Sequence, residues 1–111
     1  MSEYIDLQVL KDLTGNDEDF IKEMIQTYLD SAPADFEKLK AHYNQGDLEA
    51  LGKTAHKMKG ASRSMGIKGH ELLFNMEQIG KGTMDESELD ENYHAFSELF
   101  PKVIEALKTE L

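Results

Sequence analysis

The sequence predicts an all-α protein, an up-down antiparallel four-helix bundle with a short N-terminal helix, and three observations carry that expectation. Apolar residues recur at three-to-four spacing in segment after segment, as in Phe20, Ile21, Met24, Ile25, Tyr28 and Leu29. No sustained period-2 alternation and no Asn-Gly or Asp-Gly turn between apolar runs suggests a strand or hairpin. Short polar or glycine-containing breaks separate the segments, and short connections favour antiparallel neighbours.

Taken in order, Tyr4, Ile5, Leu7, Leu10 and Leu13 suggest a leading helix that stops at Gly15. Asn16 or Asp17 can cap the next helix, which has acids in its first turn. Ser31 before Pro33 reads as a fresh start, because proline is tolerated in a first turn, and Phe36, Leu39 and Tyr43 carry the stripe on to Gly46. Asp47 can cap a helix whose inner positions are Leu48, Leu51, Ala55, Met58, Ser62 and Met65, with Gly66 as its stop. Leu72, Leu73, Met76 and Ile79 drive another helix, ending in Gly80-Lys81-Gly82. Asp85 or Ser87 opens the last, which runs from Leu89 to Leu107. Pro101 lies inside it and removes the bond to the Ser97 carbonyl, so a kink or break is expected there.

With 111 residues the chain fits one domain, 1–111, and has little room to enclose a nucleotide or a large cofactor. Zero cysteines exclude disulfides and thiolate metal sites. No apolar run approaches the roughly 20 residues of a membrane span, and the N-terminus has no signal-peptide pattern, so a cytoplasmic location is expected. A net charge of -10 disfavours nucleic acid and anionic membranes as partners. Yet between Ala50 and His70 there is no Asp or Glu, and Lys53, Lys57, Lys59, Arg63 and Lys68 all lie there. Such a basic island on an acidic body implies a small anionic target, the bland alternative being chance clustering on a solvated face.

That island falls on the helix of residues 48–65. At about 100° per residue, with His56 set to 0°, Gly52 falls near -40°, Lys53 near +60°, Lys59 near -60°, Gly60 near +40° and Arg63 near -20°. One outward face thus gathers a histidine, three cations and two glycines. Glycine costs a helix interior about 0.5–1 kcal/mol relative to alanine, so two beside one histidine need a reason. Missing side chains leave a depression through which another molecule could reach the imidazole, and an exposed neutral imidazole is a nucleophile at cellular pH. An acceptor of phosphoryl from a bulky partner fits this pattern; an incidental surface histidine is the plain alternative.

His56-Lys57-Met58-Lys59-Gly60-Ala61-Ser62-Arg63-Ser64-Met65-Gly66 resembles the signature of histidine-containing phosphotransfer (HPt) domains, H-x-apolar-K-G-small-small-x-x-apolar-G, and the likeness extends over essentially the whole chain. The resemblance implies a stand-alone phosphorelay intermediate of two-component signalling. His56 would be the phosphoacceptor, on Nε2; Lys59 would balance phosphoryl charge; Gly60 would leave room for an incoming receiver domain. Gln78, 22 residues beyond His56, matches a glutamine that in many members hydrogen-bonds the imidazole. Gly52, Lys53, Lys57 and Arg63 would guide docking. Ser62 would pack, or else bond back within its helix or assist the ring; His70 is near the face without an assigned role.

The implied partners are receiver domains of hybrid kinases and response regulators, and Mg²⁺ is expected on the receiver, with no cofactor of this chain's own. A monomer is expected, because the bundle core accounts for the apolar residues and no broad second stripe remains, and with no candidate ATP-binding domain a phosphohistidine carrier without an ATP site, rather than an enzyme, is expected. Gly52-Lys53-Thr54 imitates the end of a P-loop, but Asp47 stands where its first glycine should be and no strand precedes it. His42, His56, His70 and His94 show no metal-binding spacing, so no metal site is expected. A noncatalytic helical module that binds receivers without carrying phosphate is the alternative reading, against which intact His56, Lys59 and Gly60 speak.

Overall fold

The computed structural model describes residues 3–111, and among them helices account for every regular element. They are α1 (Gln8–Thr14), α2 (Glu18–Gln45), α3 (Leu48–Met65), α4 (His70–Lys81) and α5 (Leu89–Lys108), with a 3-10 turn at Glu86–Glu88 before the last. Asp17 caps α2 by accepting from the Phe20 amide at 3.1 Å, and Asp47 caps α3 by accepting from the Ala50 amide at 3.2 Å. Asp85 caps the 3-10 turn through the Ser87 amide at 2.8 Å. The most extensive packing is between α3 and α4, followed by α2 against α3 and α4 against α5.

At both prolines the expected break in the helix is corrected. Ser31 and Pro33 start no helix, because α2 runs unbroken for 28 residues with Pro33 inside it. Ile21, Ile25, Tyr28, Ala32 and Leu39 form one continuous buried stripe across that point, while Pro33 faces solvent. Keeping this stripe in register outweighs the one hydrogen bond that the proline removes. Nor is α5 broken at Pro101: Phe96, Phe100, Val103 and Leu107 stay buried on one face with the exposed proline on the other. Phe36 of α2 stacks on Phe100 with ring centroids 4.7 Å apart, which ties the two proline-bearing helices together.

The leading segment also differs from expectation. Tyr4 to Asp6 are not helical; instead Ile5 makes an isolated antiparallel bridge to Ile67. The Asp6 amide donates to the Gly66 carbonyl at 2.7 Å and the Lys68 amide to the Tyr4 carbonyl at 3.0 Å. Gly66, with φ +67°, ends α3 there, and a Cβ on it would lie 2.0 Å from the Asp6 carbonyl oxygen. Ile5 and Ile67 are consequently buried, and α1 begins only at Gln8.

Candidate functional site

α3 and α4 approach unusually closely, and glycine makes this possible. A Cβ on Gly52 would meet the Gly80 Cα at 2.9 Å, and one on Gly80 would meet the Leu48 carbonyl oxygen at 2.6 Å. Gly52 is therefore buried backbone contact rather than part of a docking face, which corrects that expectation. The helical phase near -40° points toward α4, not to open solvent. Gly60 is the opposite case, exposed and with nothing within 4 Å of where its Cβ would be. Its missing side chain leaves the surface beside His56 low.

The tight crossing fixes which α4 residue meets the histidine. Gly80 touches α3, and Glu77 lies one turn before it on the same face, so its carboxylate reaches under His56. His56 Nδ1 and Glu77 Oε2 are 2.5 Å apart. Gln78 is turned about 100° away; its Oε1 accepts from the Thr83 hydroxyl at 2.6 Å, at the C-terminal end of α4. The ring partner is thus the residue before the expected one. A signal existed in the sequence: Glu77 sits four residues after Leu73, in the apolar stripe of α4, where an unpaired carboxylate would be costly.

That carboxylate is buried, its side chain 4% exposed, and it is neutralised from three directions. Lys59 Nζ donates to Oε1 at 2.6 Å, and Lys81 Nζ lies 3.3 Å from Oε2, the oxygen that also meets the ring. The hydrogen bond from Lys59, helped by those from His56 and Lys81, holds the Glu77 pKa down at about 2 against the opposing effect of burial. An ionised carboxylate can only accept, so Nδ1 must carry the proton it shares with Glu77. In the neutral ring the lone pair is then on Nε2. The His56 side chain is 68% exposed, so that nitrogen belongs to the face a partner can reach.

Lys59 is committed more deeply than its motif position suggests. Its side chain is only 15% exposed, and the ammonium also lies 5.3 Å from the centroid of the Phe74 ring. The other cations of the basic island are partly spent too. Lys53 pairs with Glu49 at 3.4 Å along α3, and Lys57 reaches across to the buried Asp35 of α2 at 3.1 Å. Among the described residues Arg63 makes no ion pair and is exposed. Acids outside the island, from the start of α3, from α2 and from α4, therefore offset much of its charge.

Ser62 is buried and hydrogen-bonds the Tyr28 phenol, so it packs between α3 and α2 and does not serve the ring. Burial, with the negative charge of Asp35 adding to it, raises that phenol to about 12 despite the Ser62 bond. His70 opens α4 beside a shallow hollow that also includes Arg63 and Ser62. A larger hollow of about 540 Å³ lies between α3 and α4, with His56 at its edge, Gly52 and Gly80 among its lining residues, and Lys53 and Lys81 flanking it. Among the described residues no three His, Asp or Glu side chains converge as a metal site would require, and no helix is long and apolar enough to cross a membrane.

None of the curated proteins matches this chain. The crystal structure of histidine-containing phosphotransfer protein B (HptB) from Pseudomonas aeruginosa PAO1 superposes with a TM-score of 0.77 at 23% identity, covering 99% of this chain and 96% of that one. At that identity the likeness is one of fold. The model of the Hpt domain family matches residues 23–110, which include all of α3, with the His56 motif on it, and all of α4. Helical architecture, motif and family match coincide over the same residues, and the chain belongs to the Hpt domain family.

Proposed function

We propose that this chain is a phosphorelay carrier whose His56 Nε2 accepts a phosphoryl group from the phosphoaspartate of one receiver domain and yields it to the aspartate of another. Membership of the Hpt family supports a phosphotransfer intermediate of two-component signalling. The observation that carries the finer reading is the Nδ1–Glu77 contact, which leaves the nucleophilic lone pair on the exposed nitrogen. In the forward step the Nε2 lone pair attacks phosphorus, the N–P bond forms, and the P–O bond breaks with its electron pair leaving on the receiver carboxylate. The ring gains positive charge while keeping its Nδ1 proton, and the Glu77 anion faces that charge. The reverse step returns the phosphoryl group to an aspartate.

Acceptance needs no nucleotide on this chain, and the Mg²⁺ that offsets phosphoryl charge would come with the receiver. The reading includes a monomeric, cytoplasmic protein with its helices in up-down order as a four-helix bundle behind α1. Gly60 provides clearance for the docking receiver, and the exposed Arg63 is a cation that can meet an acidic partner surface. The test is incubation with a radiolabelled phosphoreceiver. Label on this chain should be acid-labile and alkali-stable and should vanish in His56→Gln. Binding without label would establish the noncatalytic module instead.

A further inference from the structure

The two lysines that meet Glu77 differ in a way that matters once His56 is loaded. Lys59 is 15% exposed, contacts Oε1 at 2.6 Å and lies near the Phe74 ring, so withdrawing it would leave a buried carboxylate short of its principal counter-ion. Lys81 is 60% exposed and 3.3 Å from Oε2, the oxygen already held by His56 Nδ1. It stands at the C-terminal end of α4, beside the hollow at whose edge His56 lies. The weaker contact, the exposed stem and the shared oxygen make Lys81 the cation that can move.

We propose that Lys81, rather than the motif residue Lys59, is the lysine that binds the phosphoryl group on His56, while Lys59 stays on Glu77 as its structural counter-ion. The inference rests on the phosphoacceptor reading given above. Its physical basis is a charge exchange on loading. Transfer makes the ring cationic and places a phosphoryl dianion on Nε2, with the Nδ1 proton retained. The ring then compensates Oε2 in place of Lys81, and the dianion attracts the released ammonium across a distance that a four-carbon stem can cover. Lys59, bonded to the other oxygen, gains nothing by leaving.

The test uses the full chain loaded chemically with phosphoramidate, which needs no receiver, and follows the phosphohistidine ³¹P resonance through a pH titration. A cation in contact favours the dianion, so Lys81→Met should raise the phosphoryl pKa by about 0.5 and Lys81→Arg should restore it. Acceptance from a phosphoreceiver is expected to slow about fivefold in Lys81→Met, with only a small loss of melting temperature, because the exposed 3.3 Å contact to Glu77 is the weaker one. Lys59→Met should instead lower the melting temperature and move the phosphoryl pKa less than Lys81→Met does. The assignment is overturned if Lys81→Met titrates like the wild type, or if Lys59→Met produces the larger shift. Should Lys59→Met fail to fold, the Met and Arg variants at position 81 decide alone. A wild-type chain that takes no phosphoryl on His56 refutes the phosphoacceptor reading, and this one with it; loading that is indifferent to Lys81 refutes this one only.

Discussion

Replacing Gly52 by alanine tests the tight α3–α4 crossing, with Gly60→Ala as a control in the same helix. The new methyl at position 52 would lie 2.9 Å from the Gly80 Cα and 3.3 Å from the Glu77 carbonyl oxygen. Both are backbone atoms, so no side chain can swing aside and the helices must separate by roughly half an ångström or more to reach ordinary contact near 3.5 Å. Overpacking of this kind costs about 1–3 kcal/mol, against a helix-propensity gain of about 1 kcal/mol from removing a glycine. The net expectation is a loss of up to about 2 kcal/mol, or up to about 8 °C in melting temperature for a domain of this size. Gly60→Ala meets nothing within 4 Å, keeps the propensity gain, and should melt about 3 °C higher. Because Glu77 lies between the contact and His56, Gly52→Ala should also slow phosphoryl acceptance. Thermal melts by circular dichroism suffice for the comparison. If Gly52→Ala is as stable as Gly60→Ala, the reasoning about the crossing is wrong.

Other consequences can be measured as directly. Glu77 is held at about 2, below its ordinary 4.5, so its share of stability is present above pH 4.5 and is lost as pH falls from there toward 2. Full conversion of that shift sets a ceiling near 3 kcal/mol; with Lys81 and His56 largely solvent-exposed, about 1–2 kcal/mol is expected. Glu77→Gln should therefore melt lower at neutral pH and lose the additional acid sensitivity between pH 4.5 and 2; parallel acid profiles for the two proteins would contradict this. Pro101→Ala should raise the melting temperature by a few degrees, because α5 is already helical there and alanine restores a donor to the Ser97 carbonyl. A decrease would mean that the proline's restriction of the unfolded chain outweighs the missing bond. Asp35→Ala should cost more than Lys57→Ala, since it removes the buried member of that pair and the exposed lysine can re-enter water.

The prolines and glycines mark where local reading succeeds and where it fails. Gly46, Gly66 and Gly82 end helices as their positions suggest, because a left-handed residue after an apolar-periodic run is a local matter. Pro33 starts no helix and Pro101 breaks none, for the converse reason. Each carries a local penalty of one hydrogen bond, while the buried stripe that keeps the helix going is summed over many residues on another element. Gly52 and Gly60 flank His56 about 40° to either side, and nothing local says which side meets another helix, yet one touches α4 backbone and the other touches nothing.

By itself the sequence determined the all-helical class, most helix ends, the inward residues of α3, and the outward direction of His56, because three-to-four periodicity and capping are written in short stretches. The H-x-x-K-G pattern in that context also pointed to the family. Tertiary structure alone decided that Glu77, not Gln78, meets the imidazole, that Lys59 and Lys57 are drawn to acids from other helices, and that Tyr4 to Asp6 pair with the α3–α4 connection. The physical reason is common to all three. Each depends on the separation and rotation of one element against another, set here by two glycines pressed together, and a single 100° step along α4 changes which side chain stands beneath the histidine.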